Sequence, residues 1–263
     1  MSKNSRNPKI CVYVVGHKQF NMPVDDPMYI PLVVGNQHGN IPEGWLSDHT
    51  GENISNKNPR YNELTGLYWI WKNSDADIAG LCHYRRFFTT PAGKIKNVLT
   101  GKQGEFINED YIQKILSSYD VILHNKTFTP GGNQNQLCIK ENDSESLKKS
   151  KLSREVLDSM NNSFEKMYPE DRLIYEKVMN GRYSHLLNIM ICHKEILDQY
   201  CEWLFPLLYE MELEIDRLFP GKKHARCMGL IAERLLDVWV LRERLRVKEC
   251  FTVNTEKKEW KPW

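Results

Sequence analysis

The sequence predicts an α/β fold: a mostly parallel sheet with flanking helices and a helical carboxyl-terminal half. Short apolar runs that end in turn residues recur in the first half of the chain, at residues 10–15, 29–34, 78–82 and 121–123. Continuous runs of this kind are typical of strands buried on both faces, as in a parallel sheet. Stretches with helical spacing of apolar residues lie between the later runs, which favours crossover connections.

The amino-terminal elements follow in the order β, β, α, β, α, β. The first strand ends at Gly16 and the second at Gly35. Residues 36–58 are polar and too numerous for a simple connector, which indicates a binding loop. Asn58 stands before a proline and predicts a helix cap. Apolar residues at helical spacing then predict a helix over 64–73.

The rest of the chain predicts one short helix and strand, then a mainly helical half. Residues 109–117 have helical spacing and precede the apolar run at 121–123. Residues 129–153 are polar and begin with Pro-Gly-Gly, which predicts a surface loop or lid. Beyond it the patterns predict helices at 154–179, 195–218 and 228–245, and strands at 185–192 and 246–253.

Bulk composition is that of an ordinary globular protein. The chain has 263 residues, 41% hydrophobic and 27% charged, enough for one α/β domain. A net charge of +2 argues against a nucleic-acid partner. The start is polar, no apolar run approaches the roughly 20 residues of a membrane span, and the seven cysteines are scattered. We therefore expect a cytoplasmic location with reduced thiols.

A cluster of donors directly follows the run at 78–82. His83, Tyr84, Arg85 and Arg86 stand at the carboxyl end of the predicted strand. In open α/β sheets, ligands bind beyond the carboxyl ends of the strands. Two adjacent guanidinium groups form a fork for phosphate or carboxylate. The alternative, with about even weight, is that both arginines only pair with acids on the surface.

Two other regions have polar groups near predicted element ends. Asp48 and Asn53 precede a helix, whose amino end attracts phosphate, although a solvated turn with a helix cap is the favoured alternative. Gly16 and His17 could contact a ligand or simply end the first strand.

Three residues of the carboxyl-terminal half are further candidates. Glu233 lies within an apolar helical pattern, where a carboxylate is unusual unless it is paired, for example with Arg234, or functional. His185 and Asn188 lie beside an apolar run, where such residues more often have satisfied partners in the core.

Several segments together resemble one bacterial family, catalogued as domain of unknown function 4422 and common in gene clusters for capsule, exopolysaccharide and O-antigen synthesis. The most specific is Gly-Leu-Cys-His-Tyr-Arg-Arg at residues 80–86. The others are residues 13–18, 48–58, 63–73, 185–188, 200–205 and 229–235.

The resemblance implies a single GT-A-like (Rossmann-like) domain over residues 1–263, acting as a glycosyltransferase. It implies transfer of a hexose, with galactofuranose as one candidate, from a UDP-sugar donor to a cell-surface glycan or lipid-linked oligosaccharide. It places near the diphosphate His83, Tyr84, Arg85 and Arg86; near the donor Asp48, Asn53 and Asn62; and around the reaction centre His185, Asn188 and Glu233. We expect inverting transfer, with Glu233 or His185 as the base; retaining transfer stays open.

The metal dependence of the transfer can also be predicted from the order of the residues. Metal-dependent nucleotide-sugar transferases carry Asp-x-Asp just after such a strand, but Asp75 and Asp77 precede the run at 78–82. We expect no metal and no other cofactor, because Arg85 and Arg86 would neutralise the diphosphate instead. A divalent cation remains an alternative.

Two further hypotheses stay open. Residues 131–163 depart from the family's pattern, which favours a degenerate, non-catalytic module that binds a nucleotide sugar or glycan. The basic and aromatic carboxyl-terminal tail suits a peripheral contact with the inner face of the cytoplasmic membrane, although a solvated tail is the favoured alternative. That tail comprises Lys257, Lys258, Trp260, Lys261 and Trp263.

Overall fold

A mixed sheet forms the centre of the molecule. The computed structural model describes residues 7–35, 41–100, 105–144, 148, 151–222 and 224–256. Within these ranges the strands are β1 (Ile10–Gly16), β2 (Tyr29–Val33), β3 (Leu46–Ser47), β4 (Ile78–His83), β5 (Arg86–Thr89), β6 (Val121–His124), β7 (Thr127–Phe128), β8 (Tyr183–Ser184), β9 (Met190–His193) and β10 (Val247–Asn254). All but β7 and β8 belong to one sheet of order β3-β2-β1-β4-β5-β10-β6-β9, in which β4 also pairs with β9.

The sheet is mixed, so the expectation of a mostly parallel sheet holds only in part. The pairs β1–β2, β1–β4, β2–β3 and β6–β10 are parallel, whereas β4–β5, β5–β10, β4–β9 and β6–β9 are antiparallel. The chain turns back at Tyr84 and Arg85, so that the residues after this turn form the antiparallel strand β5. Apolar runs indicated burial on both faces, which antiparallel strands inside a covered sheet also have.

The helices cover the sheet and form most of the carboxyl-terminal half. They are α1 (Asn58–Tyr61), α2 (Leu64–Asn73), α3 (Pro91–Thr100), α4 (Glu109–Leu116), α5 (Asn133–Leu137), α6 (Arg154–Met167), α7 (Arg172–Asn180), α8 (Lys194–Leu218) and α9 (Cys227–Arg242), with 3-10 turns at Ser55–Lys57 and Pro169–Asp171. The longest helix of the described part, α8, buries one face, which agrees with its predicted amphipathic pattern, whereas 12 of the 16 residues of α9 are buried.

The central strands are buried because their sequences are apolar and rich in β-branched residues. Every residue of β1 is buried, and only His83 of β4 reaches a partly exposed position. Gly80 of β4 packs so closely on Ile191 of β9 that an added Cβ would come within 2.6 Å of it. This close approach brings β9 against β4 and sets the loop before β9 at the same edge as the end of β4.

Three local predictions need correction. Asn58 is the first residue of α1 and not its cap; its side chain donates to the Asn62 carbonyl oxygen instead. The predicted strand over 185–192 begins only at Met190, because Leu187 and Asn188 take left-handed backbone angles. The described part of 129–153 is not a simple surface loop, since it includes α5 and a bridge between Cys138 and Leu152, both of which are buried.

No helix of the described ranges is long and apolar enough to span a bilayer. The tail of Lys257, Lys258, Trp260, Lys261 and Trp263 lies outside the described residues.

Candidate functional site

A cleft of about 540 Å³ opens at one edge of the sheet. The strand pairings make β1, β2, β4, β6 and β10 run in the same direction, so their carboxyl ends meet at this edge. Residues from the ends of β1 and β4 line it: Gly16, His17, His83, Tyr84, Arg85 and Arg86. The sheet therefore brings these six predicted residues together, at the edge where open α/β sheets bind ligands.

Three guanidinium groups line the cleft. Arg85 lies with its Cζ atom 4.7 Å from the centre of the Tyr84 ring and pairs with Glu256 at 3.4 Å. Both members of that pair are about half exposed, so the pair contributes little to stability and an anionic ligand can replace Glu256. Arg86 follows, and Arg226 extends the positive wall from the start of α9. Sequence reasoning missed Arg226, which no local pattern singles out.

His83 presents an uncharged imidazole to the cleft. Burial lowers its pKa to about 4, and the charges of Arg86, Arg85 and Arg226 act in the same direction against the opposing effect of Glu233. Its buried Nε2 atom has no hydrogen-bond partner in the part of the chain that is described. A neutral ring with a free nitrogen can donate to, or accept from, a ligand hydroxyl or phosphate.

Two carboxyl groups face these cations. Glu233 of α9 accepts from the backbone N–H of Leu187 at 3.1 Å and from Arg234 at 2.7 Å, with 18% of its side chain exposed. Burial raises the pKa of Glu233; Arg234 opposes the rise, and Glu63 adds to it. Glu63 accepts from Asn188 at 2.6 Å, and burial raises its pKa as well. Glu63 and Glu233 therefore place carboxyl groups that can accept protons beside the arginines of the cleft.

Asn188 and His185 lie behind the cleft wall, in the turn before β9. Asn188 donates to Glu63 and to the Gly229 carbonyl oxygen, which ties α2, β9 and α9 together. His185 is buried, with Nδ1 2.5 Å from Asp237 and Nε2 3.5 Å from Glu249. Neither residue is among those that line the cleft. The location of His185 favours a structural or indirect role over direct contact with substrate.

Asp237 fixes the conformation of this turn. Its carboxylate accepts from the Ser184 hydroxyl at 2.6 Å and from the His185 backbone N–H at 2.9 Å, in addition to the imidazole. Burial alone would raise the pKa of Asp237, but the bonds from His185 and Ser184 lower it below the ordinary value. Asp237 lies one helical turn after Glu233, so one face of α9 supplies both carboxylates that hold the turn.

Backbone strain concentrates around the same cleft. Asn62, Leu187, Asn188 and Arg226 all have positive φ angles between 50° and 80° although none is glycine. Three of them line the cleft, and Asn188 lies directly behind it. Such conformations cost about 1–3 kcal/mol each and persist where the surrounding structure fixes them, most often at functional sites.

Asp48 and Asn53 do not line the cleft. Asp48 is fully buried and accepts from the Gly35 backbone N–H at 3.0 Å and from the Ser55 hydroxyl at 2.7 Å. Asn53 accepts from the Ser55 backbone N–H at 3.2 Å and donates to the Gly51 carbonyl oxygen. Both residues shape the loop that leads to α1; Asn58, the first residue of α1, and Asn62, which follows that helix, do reach the cleft.

The two aspartates that the sequence offered as possible metal ligands lie away from the cleft. Asp75 and Asp77 lie at the opposite edge of the sheet, where they bind the Lys9 ammonium and the Lys9 backbone N–H. Within the described ranges, no three His, Cys, Asp or Glu residues are arranged to hold a metal ion. Glu63 and Glu233 are instead held by hydrogen-bond donors, and three arginines share their cleft.

Comparison with known proteins agrees with this architecture. The profile of the family described as "Domain of unknown function (DUF4422)" matches residues 11–244, and the chain belongs to that family. Among curated proteins, none matches the chain. A solved structure named "WbbM bifunctional glycosytransferase apo structure" is similar, with 26% identity and a TM-score of 0.74. The alignment covers 95% of this chain but only 46% of that one.

Proposed function

We propose that this member of the family transfers a hexose, with galactofuranose as one candidate, from a UDP-sugar to a glycan acceptor in cell-surface polysaccharide synthesis. The observation that carries the proposal is the cleft itself, in which three arginines face two carboxyl groups with raised pKa values. The similarity to a protein named as a glycosyltransferase supports the same reaction class. The chain spans less than half of that protein, so we propose one transfer activity carried by a single GT-A-like domain.

The arginines would bind and stabilise the leaving diphosphate. Negative charge develops on the leaving group during sugar transfer, and preorganised donors that face it lower the barrier. Arg85 and Arg86 offer adjacent guanidinium forks, and Arg226 adds a third cation from α9. A guanidinium binds phosphate oxygens through two parallel hydrogen bonds, which suits a diphosphate. His83, uncharged at neutral pH, would add one hydrogen bond without adding charge.

Glu233 would be the base that accepts the proton of the acceptor hydroxyl. Its raised pKa makes it a stronger base than an ordinary carboxylate, and it lines the cleft directly. Inverting transfer needs a base on the face of the sugar opposite the diphosphate, and Glu233 would take that place. His185 is a less favoured candidate because it is buried behind the wall. Glu63, which the sequence reasoning did not single out, would maintain the high proton affinity of Glu233.

We further propose that the reaction proceeds without a metal ion. Three arginines line the cleft and could neutralise a diphosphate, and the Asp75 and Asp77 carboxylates are engaged at the opposite edge. UDP-hexoses and glycans or lipid-linked oligosaccharides would be the substrates, at the cytoplasmic face of the membrane.

A UDP-release assay tests the transferase proposal. The purified chain would be incubated with a panel of UDP-hexoses, including UDP-galactofuranose, in EDTA, with water or added oligosaccharides as acceptor. We expect turnover with at least one donor, and loss of turnover in Glu233→Gln with the UDP affinity retained. Turnover that requires Mn²⁺ or Mg²⁺ would contradict the metal-free mechanism, and equal turnover by Glu233→Gln would remove that residue as the base.

A binding module remains the second candidate. Both oxygens of Glu233 already accept hydrogen bonds from the protein, which is also what a purely structural carboxylate does. Tight binding of a UDP-sugar without hydrolysis or transfer, across the same acceptor panel, would favour this candidate.

A further inference from the structure

Helix α3 (Pro91–Thr100) turns its apolar side chains outward. Ile95, Val98 and Leu99 are 60%, 41% and 74% exposed, whereas the buried residues of the helix are Gly93 and Asn97. A surface helix normally buries its apolar stripe and exposes its polar residues. In α3 the arrangement is reversed, since a glycine and an asparagine face the protein and three aliphatic side chains face solvent.

The outward face has the geometry of a single stripe. Ile95, Val98 and Leu99 are spaced i, i+3 and i+4, so they lie together on one side of the helix. On a helical wheel, Gly93 and Asn97 fall on the opposite side of this stripe. Lone exposed apolar residues are common, but three in register on one helix mark an interaction surface.

The charge on α3 selects the kind of partner. Lys94 and Lys96 fall on the two flanks of the apolar stripe, and α3 contains no Asp or Glu. An apolar stripe bordered by lysines is typical of helices that lie in the interface of a membrane, where the ammonium groups meet anionic headgroups. A hydrophobic protein partner would not by itself explain the lysines on both flanks.

Strand β5 connects helix α3 to the cleft wall. The helix follows β5, a strand of four residues that begins at Arg86 in the cleft wall. Burial lowers the pKa of His124, at the end of β6, to about 4, and the charge of Lys94 is among those that act in the same direction. The charge of Lys94, in the first turn of α3, thus acts on a residue at the carboxyl end of β6.

We propose that α3 docks the protein on an anionic bilayer surface. Ile95, Val98 and Leu99 enter the boundary between headgroups and acyl chains, while Lys94 and Lys96 contact headgroup phosphates. The docking stands on α3 alone and does not require sugar transfer. If transfer also occurs, docking would bring the cleft to an acceptor that is anchored in the membrane.

Vesicle co-sedimentation with the full chain tests this proposal. The probes are vesicles of phosphatidylethanolamine with phosphatidylglycerol at 3:1, and pure phosphatidylcholine vesicles as the uncharged comparison. We expect binding to the anionic vesicles and a loss of at least tenfold in partitioning for the double variant Ile95→Ser/Leu99→Ser. The double variant Lys94→Gln/Lys96→Gln should bind more weakly and show less dependence on salt.

The matched control is Leu173→Ser on α7. Leu173 is 78% exposed, as a leucine on a helix outside the proposed surface, so its replacement should leave partitioning unchanged. Circular dichroism and UDP binding of every variant check the fold and the cleft separately from docking. Docking is overturned if the protein does not bind anionic vesicles, or if Ile95→Ser/Leu99→Ser binds as well as the unaltered chain. It is also overturned if that variant changes only the oligomeric state.

Discussion

Replacement of Asp237 by alanine removes the acceptor for three buried hydrogen bonds. The donors are the Ser184 hydroxyl at 2.6 Å, the His185 backbone N–H at 2.9 Å and the His185 imidazole at 2.5 Å. Each buried donor left without a partner costs about 1–3 kcal/mol, and coupled losses add incompletely. We therefore expect Asp237→Ala to lower the free energy of unfolding by about 3–5 kcal/mol.

The isosteric variant Asp237→Asn separates hydrogen bonding from the loss of volume. One amide oxygen can still accept from Ser184 and the His185 N–H, and a change of tautomer lets the imidazole accept from the amide NH₂. Its loss of stability should be smaller, about 1–2 kcal/mol. The pH dependence follows from the lowered pKa of Asp237. Its stabilisation is present above the unfolded-state pKa of about 4 and is lost as pH falls through the folded-state value.

Urea unfolding at pH 7, monitored by circular dichroism, measures these differences. Asp75→Ala is the control: the Asp75 side chain is 82% exposed and pairs with Lys9, so its loss should cost less than about 1 kcal/mol. Asp237 does not stabilise this turn through its hydrogen bonds if Asp237→Ala costs no more than Asp75→Ala, or if the alanine and asparagine variants of Asp237 are equally stable.

Four further predictions concern other residues. Glu233→Gln should lower the transfer rate about 100-fold or more, as loss of a general base does, while UDP affinity measured by calorimetry stays within about twofold. Glu63→Gln should stabilise the fold at pH 8 but not at pH 4 in urea titrations. Burial raises the pKa of Glu63 and so disfavours its ionised form in the folded chain. Equal effects at both pH values would contradict this prediction. Gly35→Ala should lower the free energy of unfolding by well over about 1 kcal/mol, since φ is +68° and the new Cβ would lie 2.4 Å from the Asn58 side chain. In the control Gly44→Ala, the new Cβ meets only the backbone strain. Equal urea midpoints for the two variants would refute the contact with Asn58. All seven cysteine thiols are free and buried, so a thiol reagent should label the native chain far more slowly than the urea-unfolded chain.

Much of the fold could be predicted from the sequence because local patterns determine it. The strand that begins at Ile10 and the helix that begins at Leu64 match their predicted bounds to within one residue at each end. The directions of the strands could not be read in the same way. Whether β5 continues or reverses the path of β4 depends on the turn at Tyr84 and Arg85 and on pairing with the distant β10. Those are tertiary contacts that leave no periodic signal.

The candidate site was only partly predictable, for the same reason. Arg85 and Arg86 stood out because they follow a buried strand, and the structure places both in the cleft. Arg226, directly before α9, has a left-handed backbone conformation and reaches the same cleft. The residue types around it do not predict this conformation. Glu63 and Asp237 could have been found from the sequence. Glu63 adjoins the candidate Asn62, and Asp237 lies one helical turn after the candidate Glu233.

Asp48 and Asn53 were candidates for ligand contact, but they lie in a loop outside the cleft. Asp48 and Asn53 are polar residues before a helix, which is where phosphate sites occur. Asp48 is nevertheless fully buried, and its carboxylate accepts hydrogen bonds from the Gly35 N–H and the Ser55 hydroxyl. Because those partners lie within the same loop, only the folded geometry distinguishes the two roles.

Calorimetric titration of UDP in the presence of EDTA tests the proposed cleft most directly. We predict that the unaltered chain binds UDP without a metal ion, and that Arg85→Ala/Arg86→Ala loses at least 100-fold in affinity while its circular dichroism spectrum stays unchanged. The exposed Arg217→Ala, on α8, should bind as the unaltered chain does. Equal UDP binding by the double variant, or binding that appears only when Mn²⁺ or Mg²⁺ replaces EDTA, would contradict the account.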